Sequence, residues 1–216
     1  MMIPVNKIIA IDAGHGSNTA GKRTAPFVRA TDINHDSCID INKGDQYREH
    51  YANVGIANLL YQELAKRGYE VIKVGWNDSK ASDDEDVSLT ARQKRIKAAK
   101  CDISISIHFN AFGDGKAFNY ASGTGIYIHN YYSGDSKALA EQVLKQLIKG
   151  SKQVNRGVTG QALALCNCKT MGTKASILIE VAFMTNEHEA QDFMANSRFW
   201  TETAAEIADG IDNYFK

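Results

Sequence analysis

Residues that stiffen or staple a backbone are scarce in this chain, which has two prolines, Pro4 and Pro26, and four cysteines. Net charge is absent too: 25 Lys and Arg offset 25 Asp and Glu. No field of one sign draws the chain to nucleic acid, and no basic stripe stands out. No stretch reaches the roughly 18 apolar residues that a membrane span needs. The opening "MMIPVNKIIAIDAGHG" has too short an apolar run for a signal peptide, so either synthesis in the cytoplasm without a leader or a leader lost from this chain is expected. Cys38, Cys101, Cys166 and Cys168 fit neither a zinc ribbon nor a C-x-x-C motif. Cys166 and Cys168 are too close to bridge easily, so four free thiols are expected. No internal repeat is visible.

What is present is ordinary for a globular α/β chain. It has 216 residues, 44% of them hydrophobic and 23% charged. That is enough for one sizeable core, and one domain over 1–216 is expected. "KIIAIDA" (7–13), "YEVIKVG" (69–75), "DISISIHF" (102–109), "GTGIYIHN" (123–130) and "ASILIEVAF" (175–183) read as strands. Residues 48–67, a stretch after Ser88, 135–149 and 199–215 have helical period. Residues 17–47 are polar and aperiodic, a long loop of the kind that usually carries function. Strands alternating with helices predict an α/β three-layer sandwich with a mostly parallel twisted sheet flanked by helices.

In such a sheet, functional groups gather beyond the carboxyl ends of the strands. Three apolar strands deliver active side chains there: "DAGHG" gives His15, "SISIHFNA" gives His108 and "ILIEVAFMTN" gives Glu180. On the helix 48–67, Glu49, Asn53, Ile56, Leu60 and Leu64 share one face, and the last three mark it as buried. A carboxylate in the first turn is favoured by the helix dipole, but aimed inward it needs a partner. Two histidines and one carboxylate form a zinc set with a position left for water. Glu180 is then the base for that water, since acids are rarely buried unpaired. Taken singly, each has a plainer reading: a turn histidine, a satisfied core histidine, a solvated first-turn acid. His35, His50, His129 and His188 have no such placement and are expected on the surface or in loops. Gly14 and Gly16 are expected to let the chain turn and to leave the imidazole uncrowded, and Asp12 to orient the His15 ring from behind.

These residues fall into a pattern. "DAGHG", Glu49 with Asn53, "LTARQKRIKAAKCDISISIHFNA", "RGV" (156–158) and "LIEVAFMTN" occur in order along nearly the whole chain. The chain thereby resembles the zinc-dependent N-acetylmuramoyl-L-alanine amidases of bacterial autolysins and phage endolysins. The resemblance implies a phosphorylase/hydrolase-like fold, Zn2+ bound by His15, Glu49 and His108, and Glu180 as the catalytic acid. It also implies peptidoglycan as the partner, cleaved at the amide joining N-acetylmuramic acid to L-alanine. Asn110, Asn53 and Arg23 are further candidates for substrate contact, Arg23 from the stretch "AGKRTAPF".

Departures are few. Ala175 and Ser176 stand where the family often has Pro-Ala, and Ala182 where it has Gly. The loop 28–47 spaces Asp32, Asn34, Asp36 and Asp40 like calcium ligands, but Ser37 replaces the required Gly and Lys43 the closing Glu. A polar loop at the substrate edge is the preferred reading. No wall-binding module is expected within the chain, and a monomer is the default. A leaderless lytic enzyme would reach the wall through phage lysis or mother-cell lysis. A zinc carboxypeptidase or endopeptidase on stem peptides, and a non-catalytic wall-binding protein, are the alternatives; Glu180 weighs against the latter.

Overall fold

The computed structural model describes residues 7–149 and 153–216. In chain order the main elements are β1 (Ile8–Ala13), α1 (Glu49–Lys66), β2 (Glu70–Val74), α2 (Leu89–Ala98), β3 (Ile103–Asn110) and β4 (Thr124–Ile128). There follow α3 (Ser136–Leu147), β5 (Asn155–Gly160), α4 (Cys168–Met171), β6 (Ala175–Phe183), α5 (Glu187–Glu189), a π-helical turn at Ala190–Met194, and α6 (Ser197–Phe215). The strands form one sheet in the order β2-β1-β3-β6-β4-β5. Its pairings are parallel except β4 with β6, so β4 and β5 run against the other four strands.

Strand period sorts the side chains onto two faces. Ile9, Ile11, Ile103, Ile105, Ile107, Ile177 and Ile179 point to one face and are fully buried in the larger core, which also takes in α1, α3 and α6. Each such side chain contributes about 1.5–3 kcal/mol by leaving water. The opposite face carries Ala10 and Val74 against Ile96 of α2, Leu165 and Met171. Helices thus cover both faces, as the sequence pattern predicts.

Local chemistry fixes the helix ends. Ser88 caps α2 by accepting from the Ala91 N–H at 3.3 Å. Asn196 caps α6 through the Arg198 and Phe199 N–H groups. α1 has no side-chain cap; the Glu49 N–H instead donates to the Lys22 carbonyl at 3.0 Å, which ties the long loop to the helix.

Two expectations change. β5 is a strand that the apolar pattern did not reveal, because "NRGVTG" is largely exposed and pairs only with β4. His50 is buried within α1 rather than on the surface or in a loop, whereas His129 is in the loop after β4, as expected, but buried there. All four cysteines are free, Cys38 exposed and the others buried. Among the described residues no helix is long and apolar enough to cross a membrane.

Candidate metal centre and substrate clefts

The sheet gathers the site. β1, β3 and β6 end at one edge; because β4 and β5 are reversed, their first residues lie at that edge too. The register sets His108 directly beside Glu180, and Gly125 of β4 beside Glu180 on the other side. Paired residues of parallel strands share a face, so His108 and Glu180 project together. A bulge between His108 and Asn110 re-aims the end of β3.

Glu49 enters from the first turn of α1, and its carboxylate sits between two imidazoles. His15 Nε2 lies 3.3 Å from Glu49 Oε2, and His108 Nδ1 lies 3.1 Å from Glu49 Oε1. The Phe109 N–H also donates to Oε1 at 3.1 Å. The two rings meet edge to face, with centroids 4.8 Å apart. One ligand atom from each of His15, Glu49 and His108 fits within 4.8 Å of the others. Tetrahedral zinc with bonds near 2.0–2.1 Å separates its ligand atoms by roughly 3.3–3.4 Å, so the donor set and spacing fit that ion. Glu49 Oε2 is buried and faces His15 Nε2 at 3.3 Å without a well-aligned hydrogen bond, as an oxygen and a nitrogen that share a cation would. Burial alone would raise the Glu49 carboxyl, but hydrogen bonds from His108 and His15 outweigh it and hold the group well below the usual carboxylate range. Burial would lower the His108 imidazole, but the hydrogen bond it donates to Glu49 outweighs this and raises it.

The first histidine rides on an unusual turn. His15 itself is left-handed, with φ 63°, while Gly14 and Gly16 are not. Of the two roles expected of the glycines, a left-handed turn and room around the imidazole, they supply the room. A Cβ on Gly14 would lie 2.2 Å from His108 Cε1, and one on Gly16 would lie 2.3 Å from the Asp86 nitrogen. Left-handed backbone costs a non-glycine residue about 1–2 kcal/mol, and buried donors hold it in place. Arg92 of α2 donates to the Ala13 carbonyl at 2.7 Å and to the His15 carbonyl at 2.5 Å. His50 and Asn53 of α1 donate to the Gly14 carbonyl at 2.8 and 3.1 Å. The other ring nitrogen of His50 meets Asp84 at 3.1 Å.

Asp12, expected behind the His15 ring, is bonded to Arg92 at 2.8 Å and accepts from the Ser106 hydroxyl; among the described residues its side chain is linked to the His15 turn through Arg92. Asn53 is buried and bonded to that turn rather than lining a cleft. Asn110 lines a cleft together with Glu180. Arg23 is exposed, and its backbone bridges to Arg48. The loop cation whose charge reaches Glu180 is its neighbour Lys22. Burial pushes the Glu180 carboxyl up to about 7, with His108 and Lys22 opposing and Glu49 adding to the rise. Glu180 Oε2 is buried with no hydrogen-bond partner among the described residues. His50 and Arg92 are the residues that sequence reading missed; Arg92 stands four residues before Ile96 on the buried side of α2, which is a legible signal.

Two clefts flank the centre. One, of about 380 Å³, is lined by His15, His108, Arg92, Val87, Leu89 and Leu165 among others. The second, of about 290 Å³, is lined by Glu180, Asn110, Tyr127, Asn155, Arg156 and Thr159 among others.

Comparison with known proteins gives this arrangement a context. The chain matches the N-acetylmuramoyl-L-alanine amidase family over residues 9–213. It is 27% identical over 210 residues to protein YqiI of Bacillus subtilis (strain 168), spanning 97% of this chain and 85% of that one. It is 29% identical over 184 residues to the N-acetylmuramoyl-L-alanine amidase LytC of the same organism, spanning 82% of this chain but 35% of LytC. The crystal structure of an N-acetylmuramoyl-L-alanine amidase from Clostridium difficile 630 superposes with a TM-score of 0.73 at 25% identity, covering 97% of this chain and 96% of that one. The chain belongs to the N-acetylmuramoyl-L-alanine amidase family, metal-dependent enzymes that hydrolyse the peptidoglycan of the bacterial cell wall.

Proposed function

We propose that the chain cleaves the amide between N-acetylmuramic acid and L-alanine with zinc held by His15, Glu49 and His108, and with Glu180 moving the protons. The carrying observation is the buried Glu49 carboxylate wedged between two imidazoles, Oε1 at 3.1 Å from His108 Nδ1 and Oε2 at 3.3 Å from His15 Nε2. When bound, zinc supplies a Lewis acid that polarises the amide carbonyl and acidifies water. Glu180 takes the proton as the water oxygen bonds to the carbonyl carbon. It then returns that proton to the nitrogen as the C–N bond breaks, releasing the amine of L-alanine and the lactyl carboxylic acid. A carboxyl raised to about 7 is suited to both transfers. All four residues come from one chain, which supports a single catalytic domain working as a monomer.

The test is lysis of purified cell walls by the zinc-loaded protein. Chelator abolishes it, zinc restores it, and the products carry new L-alanine amino termini without new reducing ends. Release of D-alanine instead overturns this reading in favour of a carboxypeptidase.

A further inference from the structure

The "RGV" stretch takes no part in the chemistry above, yet it borders the catalytic carboxylate. Arg156 is the second residue of β5, and the reversed direction of β4 and β5 brings it to the edge where Glu180 stands. The two line the same 290 Å³ cleft with Asn110, Asn155 and Thr159. This is a small, polar pocket, at the lower end of ligand-pocket sizes. The cleft on the other side contains His15 and His108 but not Glu180.

That division orients the substrate. The group that returns a proton to the leaving nitrogen has to lie on the leaving side, and the leaving group here is the peptide. The cleft shared by Glu180 and Arg156 is therefore the peptide side. Arg156 is held ready: Nη1 donates to the Ser122 carbonyl at 3.1 Å, and its guanidinium sits 4.9 Å above the Phe183 ring. Of the five N–H donors of a guanidinium, that bond uses one. Among the described residues no carboxylate forms an ion pair with Arg156. The charge of Glu189 is felt nearby, but its oxygens are spent on the Gly123 and Phe183 N–H groups. A stacked guanidinium on the exposed edge of the cleft, with donors to spare, is matched to a carboxylate.

We propose that Arg156 receives a carboxylate of the stem peptide in this cleft, so that the enzyme favours stems with a free carboxylate over stems in which it is amidated. The proposal rests on the reading of Glu180 as the residue that protonates the leaving amine.

The test uses the zinc-loaded full chain and two synthetic N-acetylmuramoyl peptides that differ only in a carboxylate or carboxamide on the residue after L-alanine. Wild type is expected to show a higher kcat/KM for the acid form. In Arg156→Gln the acid-to-amide ratio of kcat/KM falls about tenfold, the loss of one charge-assisted bond, and Arg156→Lys restores part of it. Zinc content and melting temperature are measured alongside. A wild-type ratio of one overturns the proposal even where the variant does not fold. So does an equal loss on both peptides, or a selective loss that appears in Lys22→Gln and not in Arg156→Gln. If wild type frees no L-alanine amine from either peptide, the amidase reading fails instead.

Discussion

Gly14 and His108 touch so closely that a methyl group on the glycine would lie 2.2 Å from Cε1 of the imidazole. Gly14 does not have a positive φ, so what the position demands is space, not flexibility. Gly14→Ala is expected to push the His108 ring off Glu49. Overpacking of this kind costs about 1–3 kcal/mol, and misplacement of a reacting group by ~1 Å costs about 10²-fold in turnover. Turnover and zinc content of the variant check this; wild-type values of both would show that the ring yields freely.

Arg92 links α2 to the turn that presents His15. It is almost fully buried and pairs with buried Asp12 at 2.8 Å. Arg92→Met strands that carboxylate, a change worth roughly 3–5 kcal/mol. Arg92→Met combined with Asp12→Asn is expected to regain much of the stability but not the metal affinity, because the Ala13 and His15 carbonyls stay unheld. The expected drop in zinc affinity is about 10–100-fold, read by chelator competition. Wild-type affinity in the double variant would remove Arg92 from the positioning of His15.

Glu180→Gln keeps every proposed ligand and loses the proton carrier. Zinc content should be unchanged and turnover lower by about 10²–10⁴-fold. A fully active variant would transfer the role elsewhere.

The same carboxyl gives the metal-free protein a pH dependence of known sign. Its value rises from 4.5 to about 7 on folding, chiefly through burial. The folded state thus holds the proton more tightly than the unfolded chain. The stabilisation is complete below pH 4.5 and is lost as pH rises through about 7. Urea midpoints of metal-free wild type and Glu180→Gln should therefore differ between pH 5 and pH 8, wild type losing more on the alkaline side. Parallel midpoints would contradict the burial effect.

Calcium is expected to leave the loop 28–47 unaffected. Asp32 accepts from the Ser37 N–H at 2.8 Å, Asp36 from the Cys38 N–H at 2.9 Å, and Asp40 from the Ile33 N–H at 2.7 Å. These acids turn the backbone locally, in the way Asp does in many loops. A melting temperature that climbs by several degrees in millimolar calcium would restore the cation reading.

The sequence discloses what depends on periodicity. Ile9, Ile11, Ile103, Ile105, Ile177 and Ile179 alternate within apolar runs, and those runs are β1, β3 and β6. Glu49 and Asn53 are legible because Ile56, Leu60 and Leu64 define their face, and all five are fully buried. β5 is not legible: an exposed edge strand needs no apolar face, and its identity comes from its partner β4. His50 is hidden for another reason. It stands beside Glu49 off the apolar stripe, and its partners, the Gly14 carbonyl and Asp84, are distant in sequence. The strain at His15 is equally invisible, since "AGHG" suggests that the glycines bend while the histidine does.

β6 is the last strand along the chain, yet it lies inside the sheet between β3 and β4. The gap between those two strands cannot close until residues up to Phe183 are available. The last strand inserted also carries Glu180, whereas His15, Glu49 and His108 all precede it. During synthesis the proposed proton carrier is thus the final part of the site to arrive, and a nascent chain that stops short of it lacks both a closed sheet and the means to cut. The position of one strand thus ties closure of the sheet to arrival of the proposed proton carrier: β6 completes both.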